Sequence, residues 1–442
     1  MSYKDQKTFC TAPWMHLHII NDGRAFACCS TPIEDENCFG NVKEQTLEQI
    51  MNGDKIKQFR KDMLEGKELP EACTRCTQKE VNGLNSMRTG FNDHWYDSVK
   101  DYIEKETKPD GSLPTVIDRE NHTKKTDIRM KYWDIRFSNF CNLACTTCSP
   151  LFSTKWQKDW KKLHMGQGGF QGKALIDLEQ DKGFWEDLEN NYHHMEEIMF
   201  AGGEPLIMPE HNRLIKMLDE NEKYDVFLKY STNATTKIDK VMPYWQKFYD
   251  NGGRVHLSLS IDGVGPSFEH IRYHGKWPET LANLKMIRKS GCVDYWFHPT
   301  ISILNIFRLT EIHEELRIND LLPLKNLTEK HEFWIENYWT DRFHMNVLFT
   351  PEYYSIQVLP ELLKQRAAEK ITKYGKNLEI QTGIPFKGWQ DLIDFMFERD
   401  RSDLWFQFKL ETNKMDRLRG TNLYEINPEL RTDDYIPHEQ QT

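Results

Sequence analysis

Three cysteines in one short segment are the residues of this chain best suited to metal chemistry. Cys141, Cys145 and Cys148 have the spacing Cys-x3-Cys-x2-Cys, directly after a predicted strand. Thiolates are soft ligands that suit iron–sulfur clusters and zinc. A short loop can place three thiolates on three irons of a four-iron cluster and leave the fourth iron open for chemistry. The alternative is a structural zinc site that takes a fourth ligand from elsewhere in the chain.

The segment 137–150 resembles the signature of the radical S-adenosylmethionine (SAM) superfamily. The resemblance extends over residues from about 132 to about 359, and it implies that the three cysteines hold a [4Fe–4S] cluster whose open iron binds SAM. The family usually has an aromatic residue before the last cysteine, where it packs near the adenine. Here that position is Thr147, so the adenine contact is expected from another part of the chain.

Several strand ends behind this segment resemble the SAM contacts of the family. Residues 201–205 read Ala-Gly-Gly-Glu-Pro and look like the family's Gly-Gly-Glu-Pro segment, whose backbone helps hold the SAM amino group. Glycine suits that role because it lets backbone approach a ligand without a Cβ. The resemblance makes candidate SAM contacts of Gly202, Gly203, Glu204, Pro205, Asn233, Ser260, Asp262, Arg272 and Asn305. The alternatives are ordinary turn and capping chemistry at the strand ends and a surface helix charge at Arg272.

Four further cysteines form a second set near the start of the chain, namely Cys10, Cys28, Cys73 and Cys76. A tight hairpin is predicted at Gly23, because glycine accepts the positive φ that such a turn demands, and the hairpin delivers Cys28 near Cys10. The pattern Cys-x12-Gly-x4-Cys followed by Cys-x2-Cys resembles the twitch domain, the shorter relative of the SPASM domain. The resemblance implies one auxiliary [4Fe–4S] cluster, although the family usually places this domain after the barrel. A four-cysteine zinc site is the alternative.

From residue 132 onward, strand and helix patterns alternate, which predicts an α/β fold. Repeated βα units favour a parallel sheet with helices outside it, and six strands over this length predict a partial (β/α)6 radical SAM barrel. The predicted strands are 133–137, 197–200, 226–230, 255–261, 295–304 and 343–349. The predicted domains are a twitch-like auxiliary cluster domain at 1–90, a linker at 91–130, the radical SAM core at 131–360 and a helical C-terminal extension at 361–442.

Composition narrows the classes of protein that this chain can belong to. The chain has 442 residues and a net charge of −10, which argues against a general nucleic-acid binder, since these usually show a basic face. Neither a signal peptide nor an apolar run near 18 residues is apparent, so we expect a cytoplasmic protein with no membrane contact. The glycine-rich segment 165–173 fits neither common phosphate-binding pattern and is predicted to be a flexible loop.

The resemblance implies an enzyme that reductively cleaves SAM to a 5′-deoxyadenosyl radical, which then abstracts hydrogen from a substrate. Peptide or protein modification, or oxidation assisted by the auxiliary cluster, is the favoured reaction, with an electron donor such as flavodoxin or ferredoxin. A radical SAM dehydrogenase of a small alcohol or sugar is one alternative. A non-catalytic iron–sulfur or zinc protein that binds a partner is another. Because four cysteines are available near the N-terminus, we expect the auxiliary cluster to be fully ligated and to accept an electron from the substrate.

Overall fold

The chain divides into two compact units. The computed structural model describes residues 2–81, 85–117, 122–163, 175–322, 342–383 and 387–431, so the glycine-rich segment 165–173 lies outside the described residues. The first unit comprises Met1–Phe140, Leu175–Tyr230 and Gln246–Val255. The second unit comprises Cys141–Ala174, Ser231–Trp245 and His256–Thr442.

Short strands and longer helices make up the described residues. The strands are β1 His16–Ile19, β2 Arg24–Phe26, β3 Gly40–Asn41, β4 Thr115–Ile117, β5 Lys124–Thr126, β6 Tyr132–Ile135, β7 Glu197–Phe200, β8 Phe227–Thr232, β9 Arg254–Leu259, β10 Asp294–Phe297, β11 Thr300–Ile301 and β12 Asn346–Val347. The α-helices are α1 Ala12–Met15, α2 Leu47–Met51, α3 Asp54–Leu64, α4 Thr74–Val81, α5 Met87–Asp101, α6 Trp156–Leu163, α7 Lys182–Asn191, α8 Pro209–Glu220, α9 Met242–Asp250, α10 Gly265–Ile271, α11 Trp277–Ser290, α12 Leu309–Ile318, α13 Glu361–Thr382, α14 Lys387–Glu398, α15 Trp405–Arg419 and α16 Leu423–Ile426.

The sheet of the first unit is mostly parallel. Strands β8, β7, β6 and β1 pair in parallel in that order, and β2 and β3 continue the sheet as antiparallel strands. The predicted hairpin is present between β1 and β2, where Gly23 has a φ of 95°. Strand β1 begins at His16. The residues before it form α1, which Pro13 can begin because the first turn of a helix needs no backbone N–H from that position.

The two faces of this sheet differ in chemistry. Alternate residues of β6 and its continuation, such as Trp133 and Phe137, are buried on an apolar face, where the Phe137 and Trp185 rings stack with centroids 5.9 Å apart. The opposite face is polar: His18 Nδ1 lies 3.0 Å from Asp134 Oδ2. Burial of these polar side chains is less costly because they lie next to each other.

In the second unit, β9 pairs in parallel with β10, and β11 pairs in parallel with β12. The strand predicted at 295–304 is therefore two strands, because Pro299 between them has no backbone N–H to donate to a ladder. The strand predicted at 343–349 is reduced to β12, with one bridge between Phe297 and Phe343. Helices α13, α14 and α15 lie in the segment 361–442.

The structure confirms the α/β class and the mostly parallel sheet, and β7 has the predicted bounds. The partial barrel stays a prediction, as do the domain limits. Residues 91–130, predicted as a linker, contain most of α5 and the hairpin of β4 with β5. Among the described residues, no helix is long and apolar enough to cross a membrane.

Candidate metal centres

The segment Cys141–Cys148, the cysteine loop, brings its three thiols together. Cys141 and Cys145 are buried and Cys148 is half-buried, and the three side chains pack around Leu143. The Cys148 N–H donates a hydrogen bond to the Cys145 carbonyl at 3.0 Å, which closes a tight turn between these two cysteines. Three neighbouring thiols on one short loop are the arrangement that a four-iron cluster with one open iron requires.

Hydrogen bonds to the loop backbone hold its shape. The N–H of Ala144 donates to the Tyr273 carbonyl at 3.0 Å, and the N–H of Thr146 donates to the Ile271 carbonyl at 2.8 Å. The indole N–H of Trp156 donates to the carbonyl of the second cysteine at 2.6 Å. The backbone on both sides of that cysteine is therefore fixed by contacts with the rest of the protein.

A buried ion pair lies against the second cysteine. Arg272 Nη1 donates to Cys145 Sγ at 3.6 Å, and Arg272 Nη2 lies 2.8 Å from Asp262 Oδ2. Burial raises the pKa of the Cys145 thiol, and the positive charge of Arg272 opposes that rise. The buried Arg272 Nε finds no hydrogen-bond acceptor among the described residues. One donor thus remains for an anionic group, which fits the expected contact with the SAM carboxylate.

The side chain of Asn305 forms hydrogen bonds with the backbone at Asp262 and at Thr300. The Asn305 side-chain amide donates to the carbonyls of Asp262 and Thr300, each at 2.9 Å, and its oxygen accepts from the Ser302 N–H at 2.8 Å. The other carboxylate oxygen of Asp262, Oδ1, accepts from the Thr300 N–H at 2.8 Å. Asn305 therefore holds the two strand ends that position Asp262 beside Arg272.

The strand end that carries Asn233 reaches the cysteine loop. Asn233 Nδ2 donates to Asn142 Oδ1 at 3.0 Å, and Asn142 Nδ2 donates to Thr235 Oγ1 at 2.8 Å. The backbone N–H of Ser260 donates to the Thr232 carbonyl at 2.9 Å, which places Ser260 beside the same strand end. The second unit thus brings Asn233, Asp262 and Arg272 close to the loop, and their contact with SAM stays a prediction.

In the first unit, the segment 202–205 packs against the residues that precede the cysteine loop in the chain. The N–H of Gly203 donates to the Ser138 carbonyl at 3.0 Å, and the N–H of Glu204 donates to the Phe140 carbonyl at 2.8 Å. Gly202 has a φ of 116°, and a Cβ on Gly203 would lie 2.1 Å from the Phe140 carbonyl oxygen. Both positions therefore require glycine, because a Cβ at either one would collide with a backbone carbonyl of the same chain. Glu204, which Pro205 follows, is fully buried.

The four N-terminal cysteines line a single pocket. Cys28 follows the β1–β2 hairpin, Cys73 ends a 3-10 turn, Cys76 lies in α4, and Cys10 precedes α1. Their other neighbours are largely apolar, including Ala12, Pro13, Phe59 and Met63. Burial raises the pKa of the Cys10 thiol well above its ordinary value, and the other three cysteines add to the rise. Separate elements thus assemble four thiols that are spread over residues 10–76 of the sequence.

Thiolates suit both a structural zinc ion and an iron–sulfur cluster. Within the described parts of the chain, no group of three His, Cys, Asp or Glu side chains is placed to hold a single metal ion.

Sequence reasoning missed one residue of the cysteine loop, Asn142, and two residues that contact the loop, Trp156 and Arg419. Asn142 follows Cys141 directly, and that adjacency was the available signal. Trp156 packs against Ala144 of the loop and also donates a hydrogen bond to the loop backbone. Arg419 donates to Thr146 from a helix far along the chain, and no spacing in the sequence indicates it.

The close approach of Gly203 to the Phe140 carbonyl generates a prediction. The variant Gly203→Ala should lose about 1–3 kcal/mol of unfolding free energy, because the new methyl group forces backbone apart. The midpoint and slope of urea unfolding measure this loss.

The matched control is Gly183→Ala in helix α7, where the nearest atom to a new Cβ is 3.8 Å away. That variant should be as stable as the wild type or slightly more stable, because alanine restricts the unfolded chain. Equal stability of the two variants would contradict the close packing of the segment 202–205.

Solved structures resemble the chain only weakly. They include native anSMEcpe with bound AdoMet and Cp18Cys peptide, at 14% identity over 55% of this chain and 56% of that chain, with a TM-score of 0.31. A hexahistidine-tagged form of anSMEcpe with bound AdoMet has 12% identity over 56% of this chain and 60% of that chain, with a TM-score of 0.35. TYW1 with a lysine-pyruvate adduct has 16% identity over 57% of this chain and 72% of that chain, with a TM-score of 0.27. The match thus spans less than two thirds of the length of the anSMEcpe chains.

Two family models match the chain. Residues 10–77 match SPASM, an iron–sulfur cluster-binding domain, which confirms that this domain comes first here. Residues 135–316 match the Radical SAM superfamily. A comparison with curated protein sequences found no match. The family models, and not the solved structures, support the conclusion: the chain has a SPASM-like segment at 10–77 followed by a radical-SAM-like segment at 135–316, and it binds a [4Fe–4S] cluster with SAM and an auxiliary iron–sulfur cluster.

Proposed function

We propose that this chain is a radical SAM enzyme that oxidises or cross-links a residue of a peptide or protein. The observation that carries the proposal is the packing of Cys141, Cys145 and Cys148 in one loop, with a buried arginine beside them. When bound there, the cluster and SAM supply a radical that abstracts hydrogen from an unactivated carbon. The protein's own contribution is placement and exclusion of water.

The residues around the cysteine loop have distinct tasks in this proposal. The thiolates of Cys141, Cys145 and Cys148 would hold three irons of the cluster, whose open iron would take the methionine end of SAM. Arg272 pairs with the SAM carboxylate through its remaining donor, while Asp262 keeps the guanidinium in place. Asn233, anchored on Asn142, contacts SAM at the other side of the loop. Such pre-positioned polar groups are what a cofactor site needs, since they cost no reorganisation when the cofactor binds.

The four-cysteine pocket supports the electron-relay part of the proposal. Four thiolates satisfy all four irons of an auxiliary cluster and leave no iron for substrate. A bound radical would take one hydrogen atom from the substrate. The auxiliary cluster would then accept one electron and pass it to an electron carrier, while one proton is released. The net change is a two-electron oxidation, which forms a double bond or a cross-link. An electron donor of the flavodoxin or ferredoxin class supplies the electron that starts each turnover.

Reductive cleavage of SAM tests the enzyme proposal. Anaerobically reconstituted protein with a strong reductant should release 5′-deoxyadenosine and methionine, measured by liquid chromatography. Cys145→Ala should abolish the release, because it removes a ligand of the SAM-binding cluster.

The matched control is Cys29→Ala, which changes an exposed cysteine outside the four-cysteine pocket and should leave cleavage unchanged. Wild-type protein that holds its iron but releases no 5′-deoxyadenosine would refute the proposed activity.

Spectroscopy on a variant with one cluster tests the electron relay. A triple variant with Cys141, Cys145 and Cys148 replaced by alanine should keep about half of the iron, as one [4Fe–4S] cluster with four thiolate ligands. Its electron paramagnetic resonance spectrum should not change when SAM, imidazole or cyanide is added, because no iron is open. A spectrum that shifts with any of these ligands would show an open iron and would exclude the relay.

A further inference from the structure

Helix α15 packs against Ala144 of the cysteine loop, although more than 250 residues separate the helix from the loop in sequence. Met415 packs with Ala144 and Trp156 in one buried cluster, and Leu418 adds to it. Both partners belong to the second unit. Met415 and Arg419 are four positions apart on the helix, so they lie on the same face. That face of α15 is thus directed at the loop.

Arg419 is the main polar contact on this face, and only 1% of its side chain is exposed. Its Nε donates to Asp159 Oδ2 at 3.0 Å, and its Nη1 donates to Thr146 Oγ1 at 3.1 Å. The guanidinium also lies over the rings of Tyr273 at 4.5 Å and Trp156 at 5.2 Å. A guanidinium with a carboxylate, a hydroxyl and two aromatic faces has one orientation, because its planar fork fixes all four contacts together.

Thr146 connects Arg419 to the part of the loop that carries Cys145 and Cys148. Its hydroxyl accepts from Arg419 and donates to the His270 carbonyl at 3.1 Å, so the side chain is engaged on both sides. Thr146 directly follows Cys145, and a single further residue separates it from Cys148. Fixing Thr146 therefore fixes the backbone that sets the distance between these two thiols.

The same helix holds the segment that carries Arg272. Asp416 Oδ1 lies 2.7 Å from His270 Nε2, and the carboxylate also accepts from Thr421 Oγ1 at 2.6 Å and from the Leu423 N–H at 2.8 Å. His270 is two residues before Arg272. One face of α15 thus positions both the loop and the arginine beside it.

We propose that Arg419 is a positioning residue for the SAM-binding cluster, and that helix α15 must dock on the cysteine loop for this cluster to be retained. The inference rests on the proposed function, because it takes Cys145 and Cys148 as cluster ligands. Under this proposal, helix α15 stabilises the radical SAM site, although no motif in its sequence indicates that role. Groups that orient metal ligands from outside the ligand set typically change metal affinity 10–100-fold when removed.

The test is the rate of iron loss from reconstituted full-length protein to a ferrous chelator, under anaerobic conditions. Arg419→Gln should lose iron from the SAM-binding cluster about tenfold faster than wild type. Arg419→Lys keeps the charge beside Asp159 and should recover part of the retention. The matched control is Arg417→Gln, an exposed position of the same helix, which should lose iron at the wild-type rate.

The part of the paramagnetic resonance signal that changes with added SAM separates the two clusters during this experiment. Selective loss of the SAM-responsive signal in Arg419→Gln supports the proposal, whereas a rate equal to that of Arg417→Gln overturns it. If Arg419→Gln does not fold, Asp159→Asn removes only the partner carboxylate and must cause the same selective loss; wild-type retention in that variant overturns the proposal. Wild-type protein without any SAM-responsive signal would instead refute the proposed function itself.

Discussion

Three thiols, two of them buried and one half-buried, must lie side by side in a loop that has no regular secondary structure. Burial makes each thiolate costly before iron arrives, and it raises the pKa of the Cys148 thiol to about 12. A flexible loop would relieve that cost by moving its thiols apart into water. The loop cannot do so here, because its amides and carbonyls are bonded to Ile271, Tyr273 and Trp156. In the proposed function, iron binding would release protons from these thiols, because cysteine binds a metal as the thiolate.

The two cysteine sets must each hold several thiols close together, and the fold achieves this in a different way for each set. The cysteine loop takes its thiols from eight consecutive residues and its rigidity from the elements around it. The N-terminal set takes one thiol from each of four places, which the hairpin at Gly23, a 3-10 turn and helix α4 bring to one pocket. Local spacing therefore suffices to recognise the first set, whereas the second is complete only once the chain has folded. An auxiliary cluster built this way also stabilises the fold that assembles it, since binding to the native state alone favours that state.

The sequence alone predicted those features of the fold and of the site that depend on a few neighbouring residues. The cysteine spacing, the hairpin turn and the strand at 197–200 could be predicted, because each depends on a few neighbouring residues. The strand predicted at 295–304 was too long. The prediction followed the apolar pattern and neglected Pro299, which has no N–H to donate to a neighbouring strand. The glycines at 202 and 203 were expected to make room for SAM, but the structure shows that they first make room for the Ser138 and Phe140 carbonyls. Arg419 could not be predicted, because only the fold brings it to Thr146.

The central claim is that one chain holds two four-iron clusters, of which only the cluster on Cys141, Cys145 and Cys148 binds SAM. Mössbauer spectroscopy of protein reconstituted with ⁵⁷Fe tests it most directly, because it counts iron sites and detects a change at a single iron. The account predicts about eight irons per chain, with about one eighth of the signal changing when SAM is added. A spectrum with no SAM-sensitive iron, or about four irons in a protein that also retains zinc, would contradict it.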